Sequence, residues 1–138
     1  MPTGKIDCFL DTNDLIYAAS EKNRDPRRAP ITSELVSGTI FGVSGRTLAE
    51  FVAVSRTKSL LRDDPVDQWL VHLGTCPLVP VDESYVRAGL DLAGHYRIHY
   101  DDAALLAAAE YLGAPIFYTE DLNRNQVYGS VRAVNPFL

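Results

Sequence analysis

Short apolar runs alternate along this chain with stretches of helical character, and acidic residues recur where one hands over to the other. Ile6-Asp7-Cys8-Phe9-Leu10 closes on Asp11 and the turn Asp11-Thr12-Asn13. Ile40-Phe41-Gly42-Val43 leads into the helix that carries Glu50 in Leu48-Ala49-Glu50-Phe51-Val52. Asp102 opens the Ala-rich helix Ala103–Ala109, and Asp121 follows Pro115-Ile116-Phe117-Tyr118-Thr119-Glu120. Strands that alternate with helices favour a parallel-rich α/β sandwich. In an open α/β sheet, functional groups collect outside the carboxyl ends of the strands. The order that sets the fold therefore brings Asp11, Glu50, Asp102 and Asp121 to one sheet edge. Four carboxylates meeting there cannot all stay ionised without a cation, because like charges disfavour one another. A bound divalent metal is the simplest solution.

The remaining elements follow from periodicity and punctuation. Residues 6–10 read as a strand buried on both faces, interrupted by Asp7, which is expected to face solvent or cap a neighbouring element. Leu15–Ala19 is a short helix, and the charged, proline-bearing stretch Glu21–Pro30 is a loop. Ile31–Ser37 is a helix stopped by Gly38. Thr39–Val43 is the second strand, Arg46–Ser59 a longer helix, and Asp63-Asp64-Pro65 starts another, with proline where its missing donor costs nothing. Leu78–Val81 is a short strand. Asp82–Tyr96 is a helix with Tyr85, Val86, Leu90 and Ala93 along its apolar stripe. Ala103–Leu112 ends at Gly113, and Ile116–Tyr118 and Val131–Val134 complete the strands.

A chain of 138 residues fits one domain, 1–138, with a real core. No apolar stretch approaches the roughly 20 residues needed to span a bilayer. Met1-Pro2-Thr3-Gly4-Lys5 lacks the build of a secretory signal. Cys8 and Cys76 fit no metal-ligand spacing and read as buried thiols. Together these place the protein in the cytoplasm, with no membrane partner. The net charge of -5 argues against a large basic nucleic-acid footprint. Yet ten of the 13 basic residues are Arg, which suits bidentate contact with phosphate. A metal or a local Arg cluster must then mediate any contact with RNA or DNA.

Each carboxylate also has a plainer role available. Thr47-Leu48-Ala49-Glu50 matches a capping box with Glu50 closing on the cap backbone. Asp102, or its neighbour Asp101, suits the N-cap of the Ala-rich helix. Asp11 fits an Asx-turn, and Asp121 a similar turn start. Four such coincidences at one sheet edge carry less weight than one shared metal site. His72, His95 and His99 have no ligand spacing and read as surface residues, and Trp69 reads as helix core. No Gly-rich phosphate loop and no nucleophile elbow is present, which argues against an NTPase, a dinucleotide enzyme or an α/β-hydrolase.

In order along the chain, Cys8-Phe9-Leu10-Asp11-Thr12-Asn13, Thr47–Arg56, Tyr100-Asp101-Asp102-Ala103-Ala104-Leu105 and Tyr118-Thr119-Glu120-Asp121-Leu122 resemble the successive signatures of PIN-domain nucleases. The resemblance extends to the ending Val134-Asn135-Pro136-Phe137, and is strongest to the small VapC-like toxins of bacterial toxin–antitoxin pairs. It implies an α/β/α sandwich of three layers around a mostly parallel sheet, and cleavage of RNA dependent on Mg²⁺ or Mn²⁺. It also implies a small VapB-like antitoxin partner and a homodimer. Two positions depart from the family pattern: Asp14, usually aliphatic, and Asp101, which leaves two adjacent candidates for the third carboxylate. The register of the following alanines favours Asp102, and the Thr-x-Asp spacing favours Asp121 over Glu120.

The chemistry that follows is that of hard oxygen ligands. Asp11, Asp102 and Asp121 hold the metal, Glu50 binds a second ion or orients the attacking water, and Asn13 and Thr119 hydrogen-bond behind them. Arg46 and Arg56 flank Glu50 as candidates for the substrate backbone. An antitoxin is expected to seat against Leu15, Ile16 and Leu35. A metal-dependent phosphatase or phospho-acceptor domain is the competing enzyme class, with Asp11 as nucleophile; it needs a lysine near the phosphate, and Lys5, Lys22 and Lys58 do not follow a later strand. A metal-free interaction module is the third reading, opposed by the four intact carboxylates.

Overall fold

The computed structural model describes residues 5–138; Met1–Gly4, within the segment read for a secretory signal, lie outside the described residues. Six strands form one sheet: β1 (Cys8–Leu10), β2 (Phe41–Ser44), β3 (Leu78–Val79), β4 (Ile116–Tyr118), β5 (Val127–Tyr128) and β6 (Val131–Val134). Between them run α1 (Thr12–Ala19), α2 (Arg28–Gly38), α3 (Gly45–Thr57), α4 (Asp63–Leu73), α5 (Glu83–Tyr96) and α6 (Tyr100–Leu112). The strand order is β3-β2-β1-β4-β6-β5. Every pairing is parallel except that of β5 with β6, so the sheet is the mostly parallel one expected.

Alternation along β1 divides the core into two layers, because successive strand residues point to opposite faces. Phe9 packs with Phe117, Leu106 and Leu112 under α5 and α6. Its neighbours Cys8 and Leu10 pack with Leu15, Phe51 and Leu73 under the helices of the other face. Helices thus cover both faces, giving three layers. No helix among the described residues is long and apolar enough to cross a membrane.

Local chemistry sets the boundaries. Asp7 is exposed and leaves the strand: its backbone N–H donates to the Ile40 carbonyl at 2.8 Å and its carboxylate accepts the Ile40 N–H at 2.9 Å. Cys8 and Cys76 are free thiols, and burial pushes Cys8 up to about 11. Helix α2 begins at Arg28, earlier than periodicity indicated. The Asp25 carboxylate accepts the backbone N–H groups of Arg27 and Arg28 at 2.9 and 2.8 Å, and Pro30 falls in the first turn, where no donor is needed. Gly113 ends α6 in the left-handed conformation at φ 77°.

Two expectations about surfaces are corrected. On α5 the buried residues are Tyr85 and Gly89, while Val86 and Leu90 are 43% and 58% exposed. Gly89 lets α5 lie almost directly on α6: an added Cβ would stand 3.1 Å from Ala104 Cα. That close approach, not side-chain hydrophobicity, fixes the helix rotation. Leu15 and Ile16 are buried in the core, so they present no surface to a partner; Leu35 is half-buried and lies in a groove with Ile31 and Pro136.

Candidate active site

Each proposed carboxylate reaches its position through a specific local feature. Asp11 is the residue after β1 and the N-cap of α1, so its side chain leaves the sheet at its carboxyl end. It is only 8% exposed. Thr119, just past the adjacent strand β4, donates its hydroxyl to Asp11 Oδ2 at 2.9 Å. The same Thr119 Oγ1 accepts the backbone N–H of Asp121 at 3.1 Å. One buried threonine thus fixes both the Asp11 carboxylate and the backbone that carries Asp121. The sequence singled out Thr119 as such a support.

Glu50 lies on α3, but not where a capping role would place it. The cap is Ser44, whose Oγ accepts the Thr47 N–H at 3.1 Å while Thr47 Oγ1 accepts the Ser44 N–H at 3.2 Å. Glu50 sits nearly a turn deeper, which removes the capping-box explanation for it. Likewise His99, not Asp101 or Asp102, occupies the N-cap position of α6, and the two aspartates fall in its first turn. Adjacent helix residues point in different directions, and here they separate. Asp102 is half-buried, whereas the Asp101 side chain is 75% exposed and paired with Arg46.

Asp11, Glu50, Asp102 and Asp121 all line one cavity of about 420 Å³. Thr12, Asn13, His99 and Asp101 add to its polar wall, and Val54 and Leu105 supply the apolar part. Asn13 is exposed and makes no hydrogen bond to the carboxylates among the described residues. Burial, reinforced by the charges of Asp121 and Asp102 and opposed by the Thr119 hydrogen bond, raises Asp11 from 3.8 to about 6. Burial also raises Asp102, with Asp121 and Asp101 adding to the effect and His99 opposing it. The charges of Asp121 and Asp102 thus add to the cost of ionising Asp11, and that of Asp121 to the cost of ionising Asp102, which is the electrostatic problem a divalent cation relieves.

Whether the residues suit such an ion is a question of donor chemistry. Among the described residues no three carboxylate, imidazole or thiolate side chains are already grouped tightly enough to hold one ion. Mg²⁺, however, keeps several waters and is bound through one or two carboxylates plus substrate phosphate, rather than in a closed protein cage. An open, carboxylate-lined cavity fits that habit. The buried Thr12 Oγ1 on its wall lacks a hydrogen-bond partner, as expected of a site completed by water or ligand.

Two features were less visible in the sequence. Arg46 Nε donates to Glu50 Oε1 at 2.8 Å, an i,i+4 pair that spacing alone announces, but the guanidinium also pairs with Asp101 from the distant helix α6 and lies over the Tyr100 ring. Asp14, the acidic residue at a position usually aliphatic in the family pattern, is 1% exposed and accepts the Asp11 N–H at 3.2 Å. Burial first, then the Asp11 charge, lifts its pKa well above the ordinary carboxylate range, so it serves as a buried hydrogen-bonding strut behind Asp11. Glu120 faces away from the cavity into a cluster with Arg28 and Tyr17, accepting from Arg28 at 2.9 Å.

Solved structures with this architecture are numerous. A toxin–antitoxin complex from Klebsiella pneumoniae superposes with a TM-score of 0.69 at 17% identity, covering 94% of this chain and 98% of that one. The Mycobacterium tuberculosis toxin VapC20, described as cleaving the sarcin-ricin loop, gives 0.66 at 16% identity over 83% and 90%. VapBC2 from Rickettsia felis, bound to a promoter DNA fragment, gives 0.61 at 14% identity over 93% and 97%. At these identities the likeness establishes the fold. No curated protein shows significant similarity to the chain. The PIN domain family model matches residues 8–129, which spans β1 to the hairpin before β6 and includes all four carboxylates, and the chain therefore belongs to the PIN-domain family.

Proposed function

We propose that this protein is a Mg²⁺- or Mn²⁺-dependent endoribonuclease and the toxin half of a VapBC-type pair. The observation that carries the reading is the convergence of Asp11, Glu50, Asp102 and Asp121 on one cavity at the carboxyl edge of the sheet. Asp11, Asp102 and Asp121 would hold the ion. When bound, it would supply Lewis-acid polarisation of the scissile phosphate and a more acidic water. The protein's own part is orientation. Thr119 keeps Asp11 and Asp121 in mutual register, and Asp14 holds the backbone of Asp11 from behind. Glu50, poised by Arg46, is the group left to orient or deprotonate the attacking water. Val54 and Leu105 supply the apolar part of the cavity wall.

The phospho-acceptor reading is the weaker one, because no lysine lines this cavity. The toxin assignment is supported by the three structural neighbours, each a toxin or toxin–antitoxin assembly by its description. A small antitoxin, and a second copy of the chain in a homodimer, complete the assembly in this reading. The decisive experiment incubates purified protein with single-stranded RNA in Mn²⁺, in Mg²⁺ and in EDTA. Internal cleavage with either ion, abolished by EDTA and by Asp11→Asn, is the expected result. Phosphate release from small esters without RNA cleavage would favour the phosphatase class instead.

A further inference from the structure

A second cavity of about 370 Å³ adjoins the first and shares with it His99, Asp102 and Asp121. Its remaining lining is different in kind. Where the first cavity is lined by five acidic residues, the second adds Arg97 and Asn123, whose amide donates to Gln126 Oε1 at 2.8 Å. Ile98 and Leu122 give it an apolar wall, and the buried ring of Tyr128 its floor. We propose that this second cavity is the subsite for the nucleotide next to the scissile phosphate in single-stranded RNA, with Arg97 contacting that nucleotide's own phosphate. The inference rests on the nuclease reading and adds to it a binding site on one side of the cut.

Three observations support it. The first is contiguity: a strand whose phosphate lies between Asp102 and Asp121 leaves that point through the cavities on either side, and the two cavities meet at those residues. The second is charge. Arg28, Arg46, Arg56, Arg62 and Arg87 are all spent in ion pairs, whereas Arg97 makes none among the described residues. A guanidinium free at the border of an acidic site is suited to offset the repulsion between the site and a phosphate backbone. The third is the lining itself: apolar and aromatic surface beside a cation is how single strands are held without base-specific readout. The volume is in the range of about 300–1,000 Å³ in which small ligand groups bind.

Arg97 also closes α5 in the left-handed conformation at φ 56°, so its substitution must separate binding from helix capping. Asparagine tolerates that conformation and removes the cation. The test compares wild type, Arg97→Asn, Arg97→Lys and Asn123→Ala in Mn²⁺ on a labelled RNA and on versions shortened from either side of the cut. Binding of uncut RNA is measured in parallel on Asp11→Asn, with and without Arg97→Asn, across a salt series. The expected result is a KM raised about tenfold by Arg97→Asn with little change in kcat, as fits loss of one charged hydrogen bond. The log–log salt slope becomes shallower by about 0.7, and Arg97→Lys recovers most of the loss. Shortening the RNA on one side abolishes the difference between wild type and Arg97→Asn, and Asn123→Ala is weakened on the same side. An unchanged KM and slope, or an equal loss on every shortened RNA, would overturn the subsite while leaving the nuclease reading in place. If wild type cuts no RNA in Mn²⁺, both fall.

Discussion

At the residue scale, Asp11 joins stability to function. A rise from 3.8 to about 6 in a buried carboxyl corresponds to roughly 3 kcal/mol of native-state stability forgone at neutral pH. The sign is fixed by which form the fold disfavours. The folded carboxyl holds its proton more tightly than the unfolded one, so the cost is full above pH 6, shrinks as the pH falls through 6, and vanishes below 3.8. The metal-free wild type should therefore gain stability relative to Asp11→Asn between pH 7 and pH 4. At pH 7 the variant should be the more stable protein, since its amide oxygen still accepts from Thr119 and carries no charge. Denaturant melts at the two pH values test this, and RNA cleavage by Asp11→Asn should be abolished. Mn²⁺ should raise the melting temperature of wild type and leave the variant unmoved. The adjacent pair Asp101 and Asp102 makes a second prediction. Asp102→Asn should cost at least a hundredfold in kcat, in line with loss of a group that positions a catalytic metal. Asp101→Asn, exposed and tied to Arg46, should cost tenfold or less. Equal losses in a side-by-side kinetic assay would reverse the assignment.

At the scale of elements, the site depends on how closely α6 is held. Its first turn carries Asp102, and α5 packs along it through Gly89. A methyl at that position meets Tyr100 Cε1 at 3.0 Å and the Ala104 backbone at 3.1 Å, and a helix backbone cannot yield as a flexible side chain does. Gly89→Ala should thus destabilise the fold by about 1–3 kcal/mol despite its better helix propensity. It should also lower kcat, because the strain is relieved by moving the turn that bears Asp102. Urea titration and cleavage kinetics on the same samples check both effects, and a stabilised, fully active variant would show that α5 floats on α6. The same contact explains the limits of the sequence. Strand ends placed Asp11 and Asp121 correctly because buried runs and the turns after them are local signals. The rotation of α5 was not legible: Val86 and Leu90 look like core residues until the Gly89–Ala104 approach turns Tyr85 inward. Asp14 was similarly opaque, because its burial depends on the hydrogen bond to the Asp11 backbone and on packing from elsewhere. The hairpin strand β5 rests on two residues and a left-handed Gly129 at φ 62°, too short for any periodicity to announce.

At the scale of the whole molecule, a protein with net charge -5 and a carboxylate-lined cleft meets two constraints. In the proposed reading, RNA must be drawn to an acidic site, and the nuclease must be restrained by a partner. In that reading a divalent cation, with Arg97 at the border of the site, would answer the first. The second would call for a partner able to neutralise the cleft without chemistry, and an Arg or Lys side chain reaching Asp11, Asp102 and Asp121 in place of the ion would be the group to do so. Its apolar anchorage cannot be Leu15 and Ile16, which the core consumes. The groove along α2 formed by Ile31, Leu35, Tyr118 and Pro136 is available instead. Expression of this chain alone should then slow bacterial growth, and Asp11→Asn should not. Co-expression of an antitoxin should restore growth, and replacing the basic residue it inserts into the cleft by Ala should weaken rescue. Leu35→Glu should weaken antitoxin capture in a pull-down while leaving RNA cleavage by the isolated protein intact, since the groove lies apart from the carboxylates. If expression of the active protein proves harmless, the toxin role falls and the nuclease site stands; if Leu35→Glu binds the antitoxin as wild type does, the partner seats elsewhere.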